Sequence, residues 1–254
     1  MTSVLKIGGN QLDDPAFIAG AARIVARQAK DQSVVPVIVH GGGKGIKTLQ
    51  EKLGLTAQYV GGLRVTDSAT LEIVKMVLCG AANLDLVAAL INAGVEAQGL
   101  NGADRGLLRG EKLEHPGGDL GRVGHITAVR GDIIRELVNR KIVPVIAPVI
   151  LGADGGFFNV NADRAAGAVA AAVEADQVVF LTDVPGVLEN NQVIPRLSQA
   201  QAGSLIADGV AKGGMAVKIT AALDALAAGV GQVRITNLDG LAQSTGTVIT
   251  RGES

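Results

Sequence analysis

Short runs of β-branched and aliphatic residues alternate along this chain with longer Ala- and Leu-rich stretches whose apolar positions recur at helical spacing. Val4–Ile7 precedes a helical stretch over Pro15–Lys30, and Val37–His40 precedes one over Gly45–Leu53. Further strand-like runs occupy Ile142–Ile146 and Val178–Leu181. Runs that are apolar throughout suit strands covered on both faces, so the pattern predicts an α/β/α sandwich with a mostly parallel central sheet. The stretch from Asp104 to Val129 breaks the rhythm with Gly and polar residues. Within it, Leu107–Leu113 and Val123–Val129 are predicted to form a small antiparallel hairpin insertion. No repeat or Pro/Ser-rich linker intervenes, so 1–254 is expected to be one domain, with a division into lobes near residue 150 amounting to a cleft in a continuous sheet.

Aromatic residues are only 2% of the chain, so the core must be built from Val, Ile, Leu and Ala, and an aromatic platform for nucleotide bases is not expected. The formal net charge of −1, without runs of like charge, argues against nucleic-acid and membrane-surface partners. Cys79 is the sole cysteine and there is no Cys/His cluster at metal-ligand spacing, which suits a reducing cytoplasm and an enzyme without a resident metal. The N-terminus lacks the basic and long apolar regions of a secretory signal, and no apolar run reaches membrane-spanning length.

The candidate chemistry lies where apolar runs end in glycine. Lys6 is followed by Ile7, Gly8 and Gly9, a place where backbone N–H groups can approach an anion beside a positive charge. His40-Gly41-Gly42-Gly43 leads into a helix predicted to start near Lys44 or Gly45, and helix N-termini behind glycine loops bind phosphates and carboxylates. Ile46 stands where both the P-loop and the dinucleotide fingerprint require glycine, which excludes those motifs and disfavours an oxidoreductase. His40, a lone histidine at a strand end, reads as structural.

Gly61-Gly62-Leu63-Arg64-Val65-Thr66-Asp67 places an arginine before a helix that Thr66 or Asp67 can cap. Arg64 is either a bidentate carboxylate anchor or a surface ion-pair partner. In Asn159-Val160-Asn161-Ala162-Asp163, capping by Asn161 and a dipole contribution from Asp163 account for the motif without chemistry. A functional reading has Asn159 touching substrate and Asp163 organising nearby lysines or magnesium. Two later loops, Thr182–Val187 and Lys212–Lys218, have the character of turns at a sheet's mouth, and periodicity alone makes Lys218 a solvated helix residue.

Taken in order from Lys6 to Gly246-Thr247, these elements resemble the amino acid kinase family. The resemblance implies an N-terminal lobe, about 1–150, that holds an acyl amino acid and a C-terminal lobe, about 151–254, that holds ATP. It implies that Gly42, Gly43, Arg64 and Asn159 contact the substrate, expected to be N-acetyl-L-glutamate, with Arg64 taking its α-carboxylate. Gly8, Gly9, Asp183, Val184, Pro185, Gly186, Val187, Leu188, Val210, Ala211 and Lys212 would serve the phosphates and nucleotide. Lys6 and Lys218 would flank the transferring phosphoryl group and Asp163 would orient them, with Mg2+ held mainly through the nucleotide phosphates.

The activity so implied is ATP-dependent phosphorylation of a side-chain carboxylate in arginine biosynthesis. The first strand begins at about Val4, where family members inhibited by arginine carry an extra helix, so an arginine-insensitive homodimer is expected. Lys44 and Lys47 leave room for an acidic carrier protein bearing aminoadipate, and loss of catalysis would leave an amino-acid-binding regulatory domain.

Overall fold

A computed structural model describes residues 2–9, 11–31 and 34–252. The chain runs β1 (Ser3–Ile7), α1 (Pro15–Asp31), β2 (Val37–His40), α2 (Gly43–Lys52), β3 (Tyr59–Val60), β4 (Leu63–Arg64), α3 (Ser68–Val74) and α4 (Asn83–Asn92). It continues through β5 (Ala97–Leu100), β6 (Leu108–Lys112), β7 (Gly124–Val129), α5 (Gly131–Asn139), β8 (Val143–Ile146), β9 (Val149–Gly152), β10 (Phe157–Asn159) and α6 (Ala162–Ala172). The last part comprises β11 (Gln177–Leu181), β12 (Leu188–Glu189), β13 (Gln192–Val193), β14 (Arg196–Ser198), α7 (Gln199–Ala207), α8 (Gly213–Ala227), β15 (Gln232–Thr236), α9 (Leu238–Gln243) and β16 (Thr247–Thr250).

Eight strands form the central sheet in the order β14-β16-β15-β11-β1-β2-β8-β5. Every neighbouring pair is parallel except β15–β16. Successive side chains of a strand point to opposite faces, and β1 shows why its run is apolar throughout. Val4 joins a core under α6 and α8, while Leu5 and Ile7 join a second core under α1, α4 and α9. The scarcity of aromatics is met by close helix packing: on α6 a Cβ at Gly167 would lie 3.3 Å from Ala225 Cβ of α8. Helices can approach that closely only where side chains are this small.

The predicted hairpin exists as β6 and β7 but is half of a larger feature. A four-stranded sheet runs β10-β9-β6-β7, with β6 parallel to β9 and the outer pairs antiparallel. Ala147-Pro148 follows β8, and the chain leaves the central sheet there to form β9. The second sheet therefore draws on two separate segments, Leu108–Val129 and Val149–Asn159, on either side of α5 and β8.

One continuous helix spans Ser68–Asn92 and is long and apolar enough by composition to cross a membrane. No uninterrupted apolar run underlies it: Lys75, Asn83 and Asp85 interrupt the apolar residues without interrupting the helix. Its apolarity serves packing, with Ile73, Val74 and Leu78 in one core and Leu86 and Leu90 in another. The middle turns, Lys75–Ala82, are π-helical, a form that recurs beside functional sites.

Candidate active site

β1 lies between β2 and β11, and the C-terminal ends of all three open into one cleft of about 1090 Å³. The crevice beyond strand ends is where an open α/β sheet binds ligands. Gly8 and Gly9 follow β1, Gly41 to Gly43 follow β2, and Thr182 and Asp183 follow β11; all line the cleft. The two glycine turns abut so closely that a Cβ at Gly9 would lie 2.5 Å from the backbone N of both Gly42 and Gly43. Gly42 is extended, with φ 170°, so its requirement is one of space: a Cβ there would run into Leu78 Cδ2 of the π-helical turn. Gln11 ties this floor to the next loop, with its amide oriented so that Nε2 donates to Gly8 O at 2.9 Å and Oε1 accepts from Asp183 N at 3.0 Å.

Between the loops sits an ionic triad. Lys6 Nζ is 2.7 Å from Asp163 Oδ1, and Lys218 Nζ is 4.0 Å from Asp163 Oδ2. The pleat of β1 aims Lys6 toward α6, Asn161 fixes the start of α6 by accepting from the N–H groups of Asp163 and Arg164, and α8 delivers Lys218 in its second turn. Lys6 and Asp163 are each 6% exposed in their side chains, against 19% for Lys218. Burial, reinforced by the charge of Lys218 and opposed by Asp163, pulls the Lys6 pKa below its usual value. Within the Asn159–Asp163 motif, Asn161 caps α6 and Asp163 contacts both lysines.

Arg64 stands across the cleft, where Lys44 and Lys47 also line the wall. Arg64 Nη2 donates to Gly43 O at 2.9 Å, Nη1 donates to Gln50 Oε1, and the guanidinium lies 4.9 Å from the Tyr59 ring centroid. Asp67 caps the following helix by accepting from Thr70 N, as the sequence predicts. Asn159 Nδ2 donates to Thr66 Oγ1, which donates to Arg64 O, so Asn159 and Arg64 are held together. His40 is fully buried and donates from Nδ1 to Gly41 O while Nε2 accepts from Asn83; burial lowers its pKa to about 4. It is a neutral structural residue. Cys79 is equally unsuited to chemistry, since burial pushes its thiol up to about 11.

The cleft therefore gathers Lys6, Gly8, Gly9, Gly42, Gly43, Arg64, Asn159, Asp163, Asp183, Val184 and Lys218 of the predicted residues. Pro185, Gly186, Val187, Leu188, Val210, Ala211 and Lys212 stand outside its walls, continuing from the lining residues Val184 and Gly214. Val187 is buried with its N–H bonded to Thr247 Oγ1, Leu188 is exposed, and Lys212 is the residue from which α8 starts. Gln11, Gln50 and Tyr59 have no motif of their own and escaped sequence reasoning.

The chain is similar along nearly its whole length to known proteins. The sequence description of the amino acid kinase family matches residues 1–237. The acetylglutamate kinase of Roseiflexus castenholzii is 55% identical over 252 residues, covering 99% of this chain and 95% of that protein. The acetylglutamate kinase of Methanopyrus kandleri is 42% identical, covering 97% and 99%. Among solved structures, smu.665 of Streptococcus mutans superposes with a TM-score of 0.86 at 33% identity, over 99% of both chains. N-acetylglutamate synthase of Neisseria gonorrhoeae, complexed with coenzyme A and N-acetyl-glutamate, gives 0.88 at 25% identity over 100% of this chain and 60% of that one. Glycine turns at two strand ends, a lysine pair bridged by a buried aspartate, and full-length relatives of this kind lead to one conclusion: this chain belongs to the amino acid kinase family.

Proposed function

We propose that this chain transfers the γ-phosphoryl group of ATP to the side-chain carboxylate of N-acetyl-L-glutamate, forming an acyl phosphate. The observation that carries the reading is the Lys6–Asp163–Lys218 triad, set among glycine turns with Arg64 in the same cleft. The acceptor carboxylate is ionised at neutral pH and needs no general base. What remains is to align two mutually repelling anions and offset the charge that spreads during in-line transfer, without a covalent enzyme intermediate. Lys6 and Lys218 supply that charge on either side of the phosphoryl group, and Asp163 holds both ammonium groups in place. Gly8, Gly9, Gly42 and Gly43 offer backbone N–H groups at the strand ends.

The substrate lies in the N-terminal lobe, its α-carboxylate on Arg64 and its polar backbone beside Asn159. The nucleotide lies in the C-terminal lobe, along the segments from Asp183 to Leu188 and from Val210 to Lys212. Among the described residues no group of three or more His, Cys, Asp or Glu could cage a metal, and the cleft's only carboxylates are Asp163 and Asp183. This fits a Mg2+ that arrives with ATP on its phosphates and supplies charge neutralisation there. An acidic carrier is less well supported, because Lys44 and Lys47 are already matched by Asp13 at 3.5 Å and Glu51 at 3.8 Å. We further infer a homodimer working in the cytoplasm, formed through the outer face of the helix over Ser68–Asn92.

The test is ATP consumption with N-acetyl-L-glutamate, glutamate, aspartate and N-acetyl-aminoadipate offered side by side, with hydroxylamine trapping the acyl phosphate. N-acetyl-L-glutamate is expected to give the highest kcat/KM and a hydroxamate product. Preference for another acid, or ADP without hydroxamate, would overturn the reading.

A further inference from the structure

Gln50 is 1% exposed, an uncharged polar side chain enclosed where α2 meets α3. A buried amide must find hydrogen-bond partners or cost stability. Those of Gln50 form a line that ends in the cleft: Nε2 donates to Thr70 Oγ1 at 3.1 Å, and Oε1 accepts from Arg64 Nη1. Thr70 is itself anchored, its N–H donating to the capping carboxylate of Asp67 at 2.7 Å. With the amide nitrogen committed to Thr70, only the carbonyl oxygen is left to face the guanidinium. We propose that Gln50 is a positioning residue that sets the plane of the Arg64 guanidinium and so strengthens binding of the acceptor's α-carboxylate. This rests on the reading of Arg64 as the carboxylate anchor.

The residue type at this position matters. A carboxylate at 50 would satisfy the same N–H but would neutralise Arg64 in a buried ion pair, competing with the substrate for its charge. An amide accepts the hydrogen bond and leaves the positive charge intact. The other partners of Arg64, Gly43 O and the Tyr59 ring, are likewise without formal charge, and Arg64 makes no ion pair among the described residues. With one N–H of each terminal nitrogen committed, the rigid fork cannot rotate freely, and its remaining N–H groups are held for a bidentate contact. Burial weakens the charged form of Arg64, as expected of a cation awaiting an anion.

The experiment is steady-state kinetics with N-acetyl-L-glutamate varied at saturating MgATP, for wild type, Gln50→Met, Gln50→Glu, Thr70→Val, Arg64→Met and the double variant Gln50→Met/Arg64→Met. Gln50→Met is expected to raise KM for the acyl amino acid about tenfold, with kcat within about twofold of wild type. Gln50→Glu should raise it at least as much, since the acceptor survives and the charge does not, and Thr70→Val should raise it less. Arg64→Met should raise KM about a hundredfold, and adding Gln50→Met to it should change nothing further, because a residue acting through Arg64 has no effect once Arg64 is gone. Additive effects in the double variant, or an unchanged KM in Gln50→Met, would overturn the proposal. Should Gln50→Met fail to fold, an unchanged KM in both Gln50→Glu and Thr70→Val overturns it instead. An unchanged KM in Arg64→Met alone removes the anchor reading, a failure distinct from that of Gln50.

Discussion

The ammonium of Lys6 stands 2.7 Å from Asp163 Oδ1 in surroundings that leave each side chain only 6% exposed, while Lys218 reaches the second oxygen at 4.0 Å from a position 19% exposed. The two lysines therefore depend on Asp163 to different degrees. Replacing Asp163 by Asn leaves Lys6 buried without a counter-charge, which should cost about 3 kcal/mol of folding stability. Replacing Lys218 by Ala leaves the buried pair whole, so the midpoint of denaturant unfolding should barely move while kcat falls about a hundredfold. Urea titration and initial rates on both variants separate the roles. A Lys218→Ala enzyme with near-normal turnover would remove Lys218 from the mechanism.

The glycine turns make a sharper demand than anion binding alone. A methyl group at Gly42 meets only the end of a flexible side chain, Leu78 Cδ2, whereas at Gly9 it meets backbone nitrogen on the opposing turn at 2.5 Å. Gly42→Ala should lower activity and recover part of it when combined with Leu78→Ala. Gly9→Ala should lower kcat about a hundredfold or more, and no single side-chain truncation should rescue it. Equal rescue of both, measured as kcat/KM, would show that the close approach of the two turns does not matter.

Legibility in the sequence followed the range of the interactions. Strands and caps depend on neighbours a few residues away, so β2 falls on Val37–His40 as predicted, Asp67 caps its helix, and Asn161 caps α6. Lys218 shows the opposite limit, being an ordinary helix lysine until folding brings Asp163 to it; only the resemblance to a known family gave it a role. Gln50 had no signal at all, because its task is defined by Arg64 and Thr70 on other elements. The strands β9 and β10 were missed for a related reason: they are short, and the strand that ties them to the second sheet, β6, pairs with β9 from a distance along the chain.

His40 makes the fold sensitive to mild acid. Its folded pKa of about 4 lies below the ordinary value of 6.5, so between these pH values the unfolded chain takes up a proton that the folded chain refuses. Stability from this group is complete above pH 6.5 and declines as pH falls toward 4, by about 3 kcal/mol in all. NMR titration should find one of the three histidines, His40, neutral at pH 5 while His115 and His125 are followed separately. Denaturant unfolding of His40→Asn should show a flatter pH dependence over the same window. Protonation of His40 at pH 6 in the folded protein would contradict the geometry of its bond with Asn83.

The outer face of the long helix supports the proposed dimer. Leu84 and Ile91 are 65% and 56% exposed, with the exposed Ala88 between them at spacings of four and three residues, so they form one apolar ridge. Met76, 57% exposed, is a further large apolar side chain on the same helix. Next to α4 in the chain, β5 is the outermost strand of the central sheet, and its Gln98 and Gly99 are exposed, leaving a row of backbone groups for another copy to cover. An apolar ridge running on to an open edge is a surface that soluble chains rarely leave bare. Light scattering after gel filtration should therefore give twice the chain mass of 25.7 kDa. Leu84→Glu/Ile91→Glu should shift the species to a monomer, since each like charge would face its own copy across a two-fold axis. A wild-type monomer, or a dimer that survives both charges, would place the interface elsewhere.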